Sequence, residues 1–316
     1  MPLLPTFDDR AILAVRPPRH EVSPWQPYHC LVEEERTAAG TIEPVAAIFL
    51  SNRECPFRCL MCDLWKNTLT ERVPRGAIPT QIDFALERLP PARHVKLYNS
   101  GNFFDAQAIP PEDHAAIADR LQTMQTVIVE NHPRLCGPAC GDFRRRLPGE
   151  LEVALGLETI HPEVLPRLNK RMTVEDFDRA VELLLSWQIA VRAFVLLKPP
   201  FLDAAAGEEW ALRSLEHAFH RGVRVCAVIP TRGGNGILER LAEQGLFAPP
   251  RLRSLERVLE TAVGWNRGRV FADLWDAERF ADCPACTAAR VERLQQMNLT
   301  QRIPPPVCCN HCGEGG

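Results

Sequence analysis

The chain has 316 residues, 46 % of them hydrophobic and 24 % charged, with a formal net charge of −3. That is enough for one large domain with an appendage or for two modest domains, and too balanced in charge to gather nucleic acid or anionic lipid through a global field. The longest wholly apolar stretch, residues 45–50, falls far short of the ~20 residues a membrane span needs. The start, MPLLPTFDDR, lacks the basic and apolar regions of a signal peptide, so a cytoplasmic protein with no membrane partner is expected. Twelve cysteines in such a chain favour metal or redox chemistry over a disulfide framework.

Taken in chain order, residues 1–40 are polar and proline-rich without a sustained period, which predicts an irregular N-terminal arm. Residues 41–275 then alternate short apolar runs with amphipathic segments, the pattern of one core domain. The runs at 45–50, 94–98, 126–129, 151–157, 190–197 and 223–229 are rich in Val, Ile and Leu and nearly continuous, as strands buried on both faces should be. Helical patterns cover 82–89 behind Thr80 as N-cap, 112–124, 173–186, 208–220, and 255–263 behind Ser254. The third of these opens with the capping-box spacing Thr173 to Asp176. Six strands alternating with helices predict an α/β fold, its parallel sheet closed fully or partly into a barrel. Residues 276–316 change character: cysteine, proline and glycine rise, which reads as a small C-terminal metal module.

The strongest chemical signal is Cys55-Pro56-Phe57-Arg58-Cys59-Leu60-Met61-Cys62, just past the first predicted strand. A loop can wrap three thiolates around one cubic iron–sulfur cluster, and three cysteines leave its fourth iron open to a small ligand. S-adenosylmethionine can bind there through its amino and carboxylate groups and be cleaved reductively. A structural zinc site would use the same thiolates but lacks a local fourth ligand. The C-x3-C-x2-C loop resembles that of the radical SAM superfamily, with Met61 where an aromatic residue usually precedes the third cysteine. The resemblance implies a [4Fe-4S] cluster, S-adenosyl-L-methionine as cofactor, and a partial (β/α)6 TIM-like barrel as the core fold.

In parallel α/β folds ligands gather at the carboxyl ends of strands. The second predicted strand ends in Tyr98-Asn99-Ser100-Gly101-Asn102, the third in Glu130-Asn131-His132, and the fourth in Gly156-Leu157-Glu158-Thr159, with Asn169-Lys170 following. A carboxylate closing an apolar run is costly unless it faces a polar pocket. The G-L-E-T and N-K phrases resemble the branch holding the oxygen-independent coproporphyrinogen oxidases and the Elongator catalytic subunit. That resemblance implies that Ser100 and Gly101 hold the methionine amino group and that Glu130 binds amine or ribose. It further implies that Glu158 holds ribose hydroxyls and that Lys170 pairs with the carboxylate. Lys198 and Arg232, at the last two strand ends, are the cations best placed for an anionic substrate, and the glycines of 233–236 suggest a flexible rim.

ECPFRCLMCDLWKNT, YNSGNFFD, NKRMTVEDF, LLKPPF and MNLTQR together resemble the radical SAM subunit family of archaeosine synthase. That implies hydrogen abstraction from a substrate, with a modified guanine in tRNA as the candidate, an electron donor of flavodoxin or ferredoxin type, and tRNA or a partner subunit. Radical modification of a small metabolite or peptide, or a non-catalytic zinc or iron–sulfur redox-sensing module, are the alternatives. Cys283-x2-Cys286 and Cys309-x2-Cys312 have metal-ligand spacing, for zinc or an auxiliary iron–sulfur cluster, with Cys308 and His311 as spare ligands. Cys136-x3-Cys140 reads as two ordinary thiols ahead of a redox pair, Cys226 as packing, and the 144–146 arginines as a solvated helix face ahead of an RNA contact. Nothing in the sequence brings Cys30 or His29 to the site.

Overall fold

The structure is a computed structural model that describes residues 5–312; the first four residues of the expected arm and the last four of the C-terminal module lie outside the described residues. Eight strands form one sheet in sequential order: β1 (His29–Arg36), β2 (Ile42–Phe49), β3 (His94–Tyr98), β4 (Thr126–Asn131), β5 (Glu150–Glu158), β6 (Ala190–Leu197), β7 (Val225–Pro230) and β8 (Arg269–Ala272). Only β1 runs antiparallel, pairing His29 with Phe49 and Arg36 with Ile42; β2 to β8 are parallel throughout. The six predicted strands are β2 to β7, so the curled α/β barrel read from the sequence is borne out. Two strands lie outside that reading. β1 falls in the stretch expected to be irregular, where His29, Glu33, Glu34 and Glu35 hide its half-buried face, and β8 is only four residues long.

Most helices cover the outside of the sheet, while the short ones that carry Ile12, Val164 and Ile237 form a second apolar cluster with Leu60. In chain order the helices are α1 (Asp9–Leu13), α2 (Ala77–Leu86), α3 (His114–Arg120), α4 (Pro138–Arg144), α5 (Val164–Arg167), α6 (Val174–Ser186), α7 (Ala204–His220), α8 (Ile237–Glu243), α9 (Leu252–Gly264) and α10 (Thr287–Thr300). The Thr173–Asp176 capping box opens α6 as expected. Two other expected caps are displaced. α2 starts from Gly76 in the left-handed region (φ 84°), which places Thr80 inside it, and α9 starts after Arg251, which puts Ser254 in its first turn. No described helix is long and apolar enough to cross a membrane.

Alternate strand residues face opposite ways. One set, including Val95, Leu97, Val127, Val129, Val153, Leu155, Val191, Ala193, Val195 and Leu197, packs with helix residues such as Ile82, Phe143, Phe177 and Leu259 in the main core. The other set fills the inside of the curl. At the amino-terminal end of the parallel strands it is charged: Arg192 reaches Glu35 at 2.6 Å and Glu152 at 2.6 Å, while Lys96 holds Glu33 at 2.6 Å and also Glu35. β1 and β6 stand five places apart in the sheet, so an ion pair between them can only be made across the inside of a curled sheet. Above this plug lies an aromatic arc, with ring centroids 5.7 Å apart for His29–Phe49, 6.0 Å for Phe49–Tyr98 and 6.4 Å for Tyr98–Phe194.

The seam between first and last strands is closed by α10. The side-chain amide of Asn298 bonds both the N–H and the carbonyl of Ala272, at 2.8 and 2.9 Å, and Gln301 does the same to Val270 at 2.8 and 2.8 Å. Two side chains thus satisfy the backbone edge that β8 would otherwise present. Arg269 of β8 also donates to the carbonyl of Arg36 at 2.7 Å, and Arg36 donates to Leu299 of α10.

Removing one partner from the buried plug strands the others without water. Burial alone would raise the Glu35 pKa, but Arg192 and Lys96 outweigh it and hold the carboxyl well below the ordinary carboxylate range. Its stabilisation is therefore present above the unfolded-state value of about 4.3 and is lost as pH falls through and below it. Urea unfolding of Arg192→Met, which leaves Glu35 and Glu152 facing each other, should show a loss of about 3–5 kcal/mol at neutral pH. That loss should shrink on acidification.

Candidate active site at the carboxyl ends of the strands

The loop carrying Cys55, Cys59 and Cys62 leaves β2 and is held from three sides. From the stretch after β5, the Leu168 carbonyl accepts from the Leu60 N–H at 2.8 Å, and Asn169 donates to the Arg58 carbonyl at 2.8 Å. From the loop after β7, the buried Asn235 donates to the Leu60 carbonyl at 2.8 Å and to that of Cys62 at 3.3 Å. The segment expected as a flexible rim is therefore a brace, and Gly236 is needed in it: a Cβ there would stand 1.9 Å from the Val15 carbonyl oxygen, at φ 89°. From the N-terminal side, Arg16 and Arg19 converge with Arg58 on the half-buried Glu54.

The three thiols lie within electrostatic reach of one another, and those of Cys55 and Cys59 within reach of Lys170. Burial pushes Cys59 up to about 12 and Cys62 higher still, with the neighbouring sulfurs adding to the rise, while the Lys170 ammonium pulls Cys59 and Cys55 down. Asn102, 2 % exposed, donates from its amide to the Cys55 sulfur at 3.1 Å. Three thiols so buried are poor acids alone and suit a cationic iron centre that holds them as thiolates. A second observation fits an absent group: Asn99 is wholly buried, yet neither its amide nitrogen nor its oxygen has a partner. A Cβ on Gly101 would lie 3.6 Å from the Cys55 Cβ and 3.8 Å from the Asn99 amide nitrogen, so that amide stands beside the cysteine loop.

Glu130, at the end of β4, accepts from the Asn99 N–H at 2.6 Å and from the Gly101 N–H at 3.3 Å. It therefore shapes the Ser100–Gly101 turn with one oxygen and leaves the other available. Ser100 itself is left-handed (φ 50°), and its hydroxyl meets the Tyr28 hydroxyl at 2.9 Å. Glu158 and Lys170, expected to act on different parts of one ligand, form a buried pair at 2.5 Å. Gly156 makes room for it, since a Cβ there would fall 2.2 Å from the Glu158 oxygen and 2.4 Å from the Lys170 nitrogen. Ser100, Glu158 and Lys198 lie at the ends of β3, β5 and β6 with positive φ, and Asn169 and Arg171 flank Lys170 in the same region. Each such residue costs about 1–3 kcal/mol and is kept where the surroundings over-determine it.

Asn99 and Asn102, which the sequence offers with Ser100 as partners for an ammonium, stand instead beside the cysteine loop, and His132 carries no sequence signal of its own. His132 stacks on Phe57 of the cysteine loop (3.7 Å between ring centroids, 12° between planes) and bonds the Lys170 carbonyl at 3.0 Å. Burial, helped by the Lys170 charge, lowers its pKa to about 3, so it is neutral and Nε2–H is the donor. It links the cysteine loop to the lysine. Among the expected cations, Lys198 is turned to the Ala248 carbonyl at 2.7 Å, and Arg232 is paired with Asp273 at 2.5 Å. Away from this site, Cys283, Cys286, Cys309 and Cys312 come within 4.8 Å of one another, and the four can hold a metal ion; Cys308 is exposed and outside the group.

No family model matches the chain. In sequence it is similar to an uncharacterised protein of Methanocaldococcus jannaschii, 24 % identical over 78 % of this chain and 72 % of that one. It is also similar to the archaeosine synthase beta subunits of Methanosarcina acetivorans (28 % identity, 65 % of this chain) and Thermococcus kodakarensis (29 %, 64 %). The chain spans 61 % and 65 % of the lengths of those two subunits. In structure it superposes on SuiB of Streptococcus suis, solved with S-adenosylmethionine, at TM-score 0.52, 9 % identity, and 70 % and 48 % coverage of this chain and that. It matches methylornithine synthase at TM-score 0.51, 13 % identity, and 76 % and 67 % coverage. The resemblance read from the sequence motifs is borne out in the archaeosine synthase beta subunits, and the fold is one shared with a protein solved with S-adenosylmethionine.

Burial raises the Glu130 carboxyl to about 7, although the backbone N–H groups of Asn99, Gly101 and Ser100 pull it down. Infrared difference spectra of the cluster-free protein should show one carboxyl group ionising near pH 7. Glu130→Gln should remove that band and no other.

Proposed function

We propose that this chain is a radical SAM enzyme whose cysteine loop holds a [4Fe-4S] cluster and whose strand ends hold S-adenosyl-L-methionine. The observation that carries this reading is the grouping of Cys55, Cys59 and Cys62 with the buried Glu158–Lys170 pair and the unpartnered amide of Asn99. When bound, the reduced cluster supplies the electron that splits the cofactor into methionine and a 5′-deoxyadenosyl radical able to take hydrogen from a substrate.

The chain's own residues bind and orient. Lys170 has two protons beyond the one it gives Glu158, which suit the methionine carboxylate, and the second Glu158 oxygen suits ribose hydroxyls. Ser100, Gly101 and the free Glu130 oxygen suit the amine, and a cation there favours the ionised form of Glu130. Neutral His132 keeps the loop and the lysine in register without adding a charge beside the ammonium. Asn102 gives a hydrogen bond to the Cys55 sulfur, which stabilises its negative charge. The charge plug would close the amino-terminal end of the barrel and so limit the access of water to a bound cofactor from that side.

For the substrate, the likeness to archaeosine synthase beta subunits supports a modified guanine in tRNA. The aromatic arc of His29, Phe49, Tyr98 and Phe194 supports a planar ring inside the barrel. Such an enzyme needs a low-potential electron donor of flavodoxin or ferredoxin type, and the same relatives support a partner subunit.

Anaerobic reconstitution followed by reductant and S-adenosylmethionine should yield 5′-deoxyadenosine; an intact cluster that forms none overturns the reading. Cys59→Ala should abolish the product. Gly156→Ala should keep the cluster but weaken cofactor binding at least about tenfold by calorimetry, because the added methyl displaces the Glu158–Lys170 pair. Asn102→Leu should shift the cluster midpoint to more negative potential in an electron-paramagnetic-resonance titration, since hydrogen bonds to sulfur raise it.

A further inference from the structure

The geometry points to a single tetrahedral zinc ion, not a second iron–sulfur cluster, at Cys283, Cys286, Cys309 and Cys312, locking the helix that closes the barrel. The inference goes beyond the proposed reaction and does not depend on it. Four thiolates around one zinc, at about 2.3 Å each, stand about 3.8 Å apart. Here the Cys283 and Cys309 sulfurs are 3.9 Å apart, those of Cys286 and Cys312 are 4.0 Å apart, and all four lie within 4.8 Å. A multi-iron cluster spreads its thiolates outward from separate irons, and the sulfurs would then be splayed well beyond that span.

The surroundings are built for a negatively charged tetrathiolate centre. Arg290, 8 % exposed, donates from Nε to the Cys286 sulfur at 3.3 Å, and its other end is paired with the buried Glu256 of α9. Arg293 joins the same glutamate at 3.5 Å and donates to the carbonyls of Pro304 and Pro305 at 2.9 Å each. A guanidinium held against a sulfur offsets part of the charge that four thiolates bring to one divalent ion.

The place of the site says what the ion does. Cys283 and Cys286 precede α10, while Cys309 and Cys312 follow the proline run that returns along it. The ion therefore staples both ends of the segment whose Asn298 and Gln301 cover the β8 edge. A redox-inactive d¹⁰ ion suits that mechanical role.

The test is metal and sulfide analysis of full-length protein in which Cys55, Cys59 and Cys62 are all replaced by alanine, so that only this site reports. One zinc per chain with neither iron nor acid-labile sulfide is expected. Iron with sulfide, iron without sulfide, or no metal each overturns the proposal. If that variant does not fold, the reconstituted wild-type protein serves instead: zinc should appear alongside one cluster's iron and sulfide, with four sulfur ligands at the zinc absorption edge. Arg290→Gln should release zinc to a competing chelator with about 10- to 100-fold lower affinity, and Arg290→Lys should restore part of it. Unchanged affinity in Arg290→Gln removes Arg290 from the proposal. Chelation of wild-type protein should lower its melting temperature, and an unaltered melting temperature overturns the stapling role.

Discussion

The structure depends on a set of charges buried inside the curl of the sheet. Glu35 on β1 is the common partner: Lys96 comes to it from β3 and Arg192 from β6, while Arg269 of β8 lies 4.0 Å away. Three carboxylates (Glu33, Glu35, Glu152) meet three cations, so the plug is close to neutral. Buried ion pairs contribute little net stability over an apolar alternative, but they tolerate few geometries. That intolerance suits a sheet whose first strand must be folded back within reach of its last. Curling brings the carboxyl ends of seven parallel strands around one opening, and the candidate site is assembled there.

A second constraint concerns how the cysteine loop is held. The loops after β5 and β7 brace it through Leu168, Asn169 and Asn235, and Arg16 and Arg19 hold its start at Glu54. The loop's position thus reports the spacing of three strands. His132 adds a neutral ring that stacks on Phe57 and bonds the Lys170 backbone. Positive-φ residues at the strand ends carry the local cost of this convergence, with the regular helices and the outer core supplying the compensation.

Chemical motifs with fixed spacing are legible in the sequence alone. The C-x3-C-x2-C loop, the paired C-x2-C knuckles and the Thr173 capping box are local, so a few residues carry the whole signal. The six inner strands were legible for a similar reason, since strands covered on both faces need continuous apolar runs. β1 was not, because its buried face carries glutamates whose partners lie 61 and 157 positions away in the chain, on β3 and β6. The short β8 was hidden too. Its edge is completed by Asn298 and Gln301 side chains, which no strand periodicity reveals.

The amino-acid sequence by itself therefore determined the chemistry on offer: three clustered thiols, four more in metal-ligand spacing, and carboxylates closing apolar strands. Only the tertiary structure decided who meets whom. It joined Glu158 to Lys170, gave one Glu130 oxygen to the Ser100–Gly101 turn, left Asn99 without a partner, and drew the four C-terminal sulfurs to within 4.8 Å. The reason is physical. Residue type and spacing specify which bonds a side chain can make, whereas its pKa, its partners and its room depend on groups brought near by the curling of the sheet.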